Sequence, residues 1–132
     1  MNDQTSEAIV VLMTAGSREE ATRLAEILVA ARLAACVQIM PEMESVYRWQ
    51  DNIEREAEIL LLAKTTRANF EDLERAVRAL HSYETPEIIA LPIAAASAPY
   101  LQWLTDNVNA KRRPKATAAS EDKKSVAQVA TV

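Results

Sequence analysis

One histidine and one cysteine limit the chemistry open to this chain. His81 is followed closely by Tyr83 and Glu84, so an imidazole, a phenol and a carboxylate share one short segment. Such a set can bind a metal ion or move a proton. A histidine at the end of a helix can equally cap its last carbonyls, where positive charge is favoured. Cys36 lies in an apolar segment. Its sulfur is either a soft ligand for Cu(I) or a small buried hydrophobe. Met13 has the same two readings. Glu84 and Glu87 flank Pro86, but His81 is their only basic partner, so catalysis is not expected and the chain is read as a non-enzyme. A lone Cys forms no internal disulfide, and one Cys with one His completes no zinc site within a chain.

A second set is larger. Lys64 ends an apolar run, and a lysine beside a core must bring its amine to water or to an anion. With Tyr47, Trp49, Tyr83 and Trp103 it can line a cleft between subunits for a small anionic ligand. The alternative is a snorkelling lysine with aromatic interface packing. Glu54, Glu56 and Glu58 alternate along one strand face. Their oxygens suit a hard divalent cation, or the face is simply solvated. Gly16 is the only glycine, which excludes the P-loop and the dinucleotide fingerprint.

These residues need elements to hold them. Ala8–Thr14 is apolar and β-branched, as a buried strand requires. Ser17 and Glu20 have capping-box spacing, with Glu20 able to reach back to the cap. Ala21, Leu24, Leu28 and Ala31 continue at helical spacing, predicting a helix over Ser17–Arg32. Ala34–Met40 reads as a second strand, interrupted at Pro41 as at a bulge or edge, and resuming over Met43–Trp49. Gln50-Asp51-Asn52 reads as a hairpin turn and Ile53–Thr65 as the third strand. Phe70, Leu73, Val77 and Leu80 mark a helix over Arg67–Leu80. Pro86–Ile93 is a fourth strand. Ser97 caps a last helix through Asn107, with Pro99 in its first turn. The order βαββαβ plus a C-terminal helix is the split βαβ pattern: an α+β, ferredoxin-like fold with a four-stranded antiparallel sheet.

Strand length carries a further expectation. The 16 residues of Ala34–Trp49 reach roughly 50 Å when extended. A body of this size is only about 35 Å across. The hairpin must overshoot it, exposing Tyr47, Trp49 and Ile53 on unpaired backbone that natural proteins cover. A homo-oligomer follows, and a closed ring would leave no free edge.

The chain has 132 residues and a net charge of −4. Residues 111–132 carry a net +4 without aromatics, Leu or Ile, and the remainder carries −8. The expectation is one domain over residues 1–110 and a disordered basic tail over 111–132. An acidic body argues against a nucleic-acid platform. No apolar run approaches the ~20 residues of a membrane span, and no signal peptide is read, so a cytoplasmic protein is expected.

Five blocks in order resemble one known family: Leu33–Val37, Ser45–Trp49, Leu62–Thr66, Leu80–Ile93 and Tyr100–Trp103. They are similar to the CutA divalent-cation tolerance family over about residues 8–107. The resemblance implies a homotrimer related in architecture to PII-type signalling proteins, with long hairpins pairing between subunits. It implies a response to metal ions, copper or another divalent cation, with no cofactor needed for folding. His81, Cys36 and Glu84 are the metal candidates; Lys64, Tyr47, Trp49, Tyr83 and Trp103 are the ligand candidates. A PII-like signalling or interaction scaffold without a metal role is the alternative. The chain departs from the family in places. The usual His-Pro-Tyr-Glu reads His81-Ser82-Tyr83-Glu84, and the Cys and second His of some members are Met13 and Leu80.

Overall fold

A computed structural model describes residues 7–110. The residues expected to form the basic tail lie outside them. Strand β1 (Ala8–Ala15) leads into helix α1 (Arg18–Ala30). Strands β2 (Cys36–Trp49) and β3 (Asn52–Thr66) form a hairpin. A 3-10 turn (Arg67–Asn69) runs into α2 (Phe70–Leu80), followed by β4 (Ile88–Pro92) and α3 (Ala98–Asp106). The sheet order is β2-β3-β1-β4, antiparallel throughout. This is the expected ferredoxin-like fold.

Side-chain alternation gives the sheet two different faces. Ile9, Val11, Met13, Ile59, Leu61 and Ala63 are buried in one core with Ala21, Leu24 and Leu28 of α1 and Leu73 and Val77 of α2. The register sets Val11 opposite Ala63 and Met13 opposite Leu61, so both strands present their apolar residues to the helices together. On the other face Val10, Leu12, Leu60 and Leu62 are only partly buried, and Ile89 and Leu91 are each 50% exposed. Helix α3 covers only the end of that face near Ala8, through Leu101 and Leu104.

Several boundaries differ from expectation: β4 is confined to Ile88–Pro92 rather than Pro86–Ile93, β2 starts at Cys36, and the second helix starts at Phe70 after a 3-10 turn. Helix α1 stops at Ala30 because Arg32 adopts a left-handed φ of 59°. The amide of Leu33 then donates to Leu28 O (2.9 Å) and that of Arg32 to Val29 O (3.0 Å), a Schellman closure. Glycine usually marks such a stop, and here an arginine hides it. The hairpin turn is Gln50-Asp51, with φ of 50° and 70°, and Asn52 already pairs with Trp49. Both central residues left-handed is the type I′ geometry that matches strand twist. Pro41 does sit at a register shift, between Ile39 and Glu42 on edge strand β2.

The overhang is present. β1 ends at Ala15 opposite Ile59, so β3 before Ile59 pairs with β2 alone. This two-stranded arm extends roughly 23 Å past the body. Val46, Tyr47, Trp49 and Ile53 on it are 52%, 40%, 48% and 64% exposed.

Candidate functional site

The segment after α2 crosses the end of the sheet where the arm begins. His81 is the C-cap of α2, and its amide donates to Val77 O (2.9 Å). Its ring turns inward and is fully buried. Nε2 lies 2.6 Å from Thr14 O, and Nδ1 accepts the Tyr83 amide at 3.0 Å. Those partners place the proton on Nε2 and occupy both nitrogens. Tyr83 packs against the imidazole with ring centroids 4.7 Å apart.

Glu20 underlies this segment. It is 6% exposed, and its carboxylate accepts from the Ser82 amide (2.7 Å), the Ser82 hydroxyl (3.1 Å) and the Gly16 amide (3.2 Å). His81 Nδ1 is 3.5 Å away. Burial alone would raise the pKa of Glu20. The Ser82 and Gly16 amides and the Ser82 hydroxyl outweigh it and hold the carboxyl below its ordinary 4.5. The capping box is thus altered. Ser17 Oγ accepts from the Glu20 amide (3.1 Å), but the Glu20 carboxylate serves Gly16 and Ser82 instead of the cap amide. A proline at position 82 would have neither donor.

Tyr83 points the other way. Its hydroxyl donates to Glu58 Oε2 at 3.0 Å. Gly16 makes room for it: a Cβ there would lie 3.1 Å from the Tyr83 oxygen. Burial, the Glu58 acceptor and the charges of Glu58 and Glu20 push the phenol far above its ordinary value, so it stays a donor.

A cleft of about 570 Å³ opens beside this pair and runs from the root of the arm along one of its faces. Tyr47, Trp49, Glu58, Tyr83, Glu84 and Glu87 line it, with Thr14, Ser45, Val46 and Thr85 between them. The sequence-predicted aromatic set therefore divides. Tyr47, Trp49 and Tyr83 converge here with Glu84. Lys64 does not. It pairs in register with Cys36 and Val10, four residues along β1 from Thr14 or roughly 13 Å away, and its amine donates to Gln38. Trp103 stacks on Tyr100 of α3 at 5.5 Å. Burial, with Cys36 nearby, raises the Tyr100 phenol, so Cys36 belongs to that far end too. His81 lies behind Tyr83, facing away from the cleft. Among the described residues no three His, Cys, Asp or Glu side chains stand together as a metal site.

Glu20, Ser82 and Gly16 were not sequence candidates for a site. The signal was there in part: a Ser where a Pro is usual, and a lone glycine. Neither names its partner, because Glu20 and Ser82 lie 62 positions apart.

The fold and the cleft define a class: a ferredoxin-like domain with an overlong central hairpin and an aromatic, acidic pocket at its root. The chain belongs to the family described as CutA1 divalent ion tolerance protein, whose sequence pattern matches residues 9–107. It is 51% identical to the divalent-cation tolerance protein CutA of Thermus thermophilus over 98 residues, covering 74% of this chain and 95% of that one. It is 42% identical over 106 residues to the chloroplastic CutA of Arabidopsis thaliana, covering 80% of this chain but only 58% of the relative. The crystal structure of CutA1 from Oryza sativa superposes with a TM-score of 0.79 at 39% identity, over 83% of this chain and 100% of that one. No helix among the described residues is long and apolar enough to cross a membrane.

Proposed function

We propose that this chain is a non-enzymatic homotrimer that serves divalent-cation tolerance by binding a metal ion, copper among them, or a small ligand at clefts between its subunits. The observation that carries this is the arm. It projects beyond the body with Val46, Tyr47, Trp49 and Ile53 exposed, and the binding cleft lies at its root. An edge of this length and apolarity is stable only when another chain covers it. The half-exposed Ile89 and Leu91 on the sheet face away from α1 and α2 support the same assembly. A cytoplasmic setting suits the single free thiol of Cys36.

One observation favours the scaffold reading over metal binding. Both His81 nitrogens are engaged internally, and Cys36 and Glu84 lie at opposite ends of the sheet. The test is light scattering combined with calorimetric titration of Cu²⁺, Cu⁺ and Zn²⁺. A trimer mass with tight metal binding lost in Cys36→Ser or His81→Ala supports the metal role. A trimer that binds none of the three moves the function to a small ligand or a partner. A monomer mass at micromolar concentration overturns the proposal.

A further inference from the structure

We propose that the sheet face turned away from α1 and α2 docks the arm of a second copy of this chain, with Glu54 and Glu56 of that arm set against Lys64. This deepens the assembly reading above and rests on it for the presence of a second copy. What is new is which surfaces meet and which charges fix their register.

Residues two apart on a strand share a face. Ile59, Leu61 and Ala63 of β3 face the helices, so Glu54, Glu56, Glu58, Leu60, Leu62 and Lys64 share the other side. That side has an acidic end on the arm, an apolar middle and a cation at the far end. Ile89 and Leu91 widen the middle, each half-exposed. Lys64 is half-buried, and its amine donates to Gln38. Among the described residues no carboxylate stands within ion-pair distance of it. Its own arm offers none, because Glu56 is eight residues away, roughly 26 Å along β3. Whatever covers the apolar middle also takes this amine out of water. A cation so covered needs a carboxylate from the covering surface.

One face of the arm fits that description. Ser45 pairs with Glu56 and Tyr47 with Glu54, so both carboxylates lie on the side that carries the Tyr47 and Trp49 rings. Neither Glu54 nor Glu56 forms an ion pair among the described residues. Arg48 and Arg55 alternate onto the opposite side, where Arg55 meets Glu44 at 3.5 Å. The rings suit the apolar middle, and the two acids suit Lys64. Length agrees as well. The arm extends about 23 Å, and Lys64 lies roughly 16 Å along the sheet from Ile59, where the body begins. Each copy gives an arm and receives one, a contact that a closed ring repeats at every interface.

The test is charge reversal in the full chain. Assembly mass is followed by light scattering through a dilution series in increasing urea. Lys64→Glu, and separately Glu54→Lys with Glu56→Lys, should each raise the concentration of half-dissociation at least about a hundredfold, since like charges then face each other. All three substitutions in one chain should return it to within about tenfold of the wild type. The groups are too far apart within a chain to touch, so only contact between copies gives that recovery. Circular dichroism checks that the dissociated variants keep a folded body. If one reversal alone does not fold, an assembled triple variant still supports the pairing and an unassembled one overturns it. Indifference to either reversal, or no recovery in the triple variant, overturns the proposal. Either result with a trimeric wild type sinks the pairing alone. A monomeric wild type sinks the assembly reading and the pairing with it.

Discussion

Two buried carboxylates lie on opposite sides of Tyr83, and they are treated differently. On the helix side, Glu20 receives three hydrogen bonds and stands beside His81. On the cleft side, Glu58 receives one, from Tyr83. Similar burial thus accompanies opposite degrees of saturation. A carboxylate whose lone pairs are taken by amides is part of the fold. One that accepts only the Tyr83 hydroxyl among the described residues borders the cleft and contributes less to the fold. Both His81 nitrogens likewise have internal partners, Thr14 O and the Tyr83 amide.

The sharpest way to break this contrast is to truncate each acid. Glu20→Ala strands the Gly16 and Ser82 amides and should cost about 3 kcal/mol in urea unfolding. Glu58→Ala should cost under about 1 kcal/mol, because Tyr83 can turn to water in the cleft. Equal losses would erase the distinction. Tyr83→Phe falls between them. It removes the one donor to Glu58 among the described residues and should cost about 1.5 kcal/mol, read in the same assay.

Acid titration asks the same question without truncation. Glu20 has a lowered folded-state pKa, so its contribution is present above 4.5 and lost as pH falls through the lower folded value. Unfolding midpoints should therefore drop on the acid side of 4.5, and Glu20→Gln should flatten that limb. A limb unchanged by Glu20→Gln would place the acid sensitivity elsewhere. Gly16→Ala pushes against the Tyr83 hydroxyl and should cost about 1 kcal/mol, with a shifted Tyr83 ring resonance. The smallest effect belongs to the arm. Asp51→Gly relieves a left-handed residue and should raise the melting temperature, by about 0.5 kcal/mol in stability.

The fold was legible because period and punctuation agree. Apolar alternation, the Ser17 and Ser97 caps and Pro41 each marked a real feature. The misreadings have local causes. Arg32 and Gln50-Asp51 adopt left-handed backbone without the glycines that normally announce it. The site was legible by residue type but not by address. Within one chain Tyr47, Trp49, Tyr83 and Glu84 line one cleft, whereas Lys64, Cys36 and Trp103 lie toward the other end of the sheet. Strand pairing decides that division, and nothing in a residue's own neighbourhood reports how far along a strand its partner lies. Glu20 was read as a cap because its long-range partner, Ser82, was invisible from its sequence context.

The arm also has a history in time. Its two strands are joined by a two-residue turn, so they can zip in about 1–10 μs. Pairing of β1 with β4 must bring together Leu12 and Ile89 across most of the described chain, a far slower search. A refolding chain therefore holds out a finished, sticky hairpin before it has a core to stand on. How quickly other copies find that hairpin depends on their concentration, so refolding yield and rate should vary with dilution.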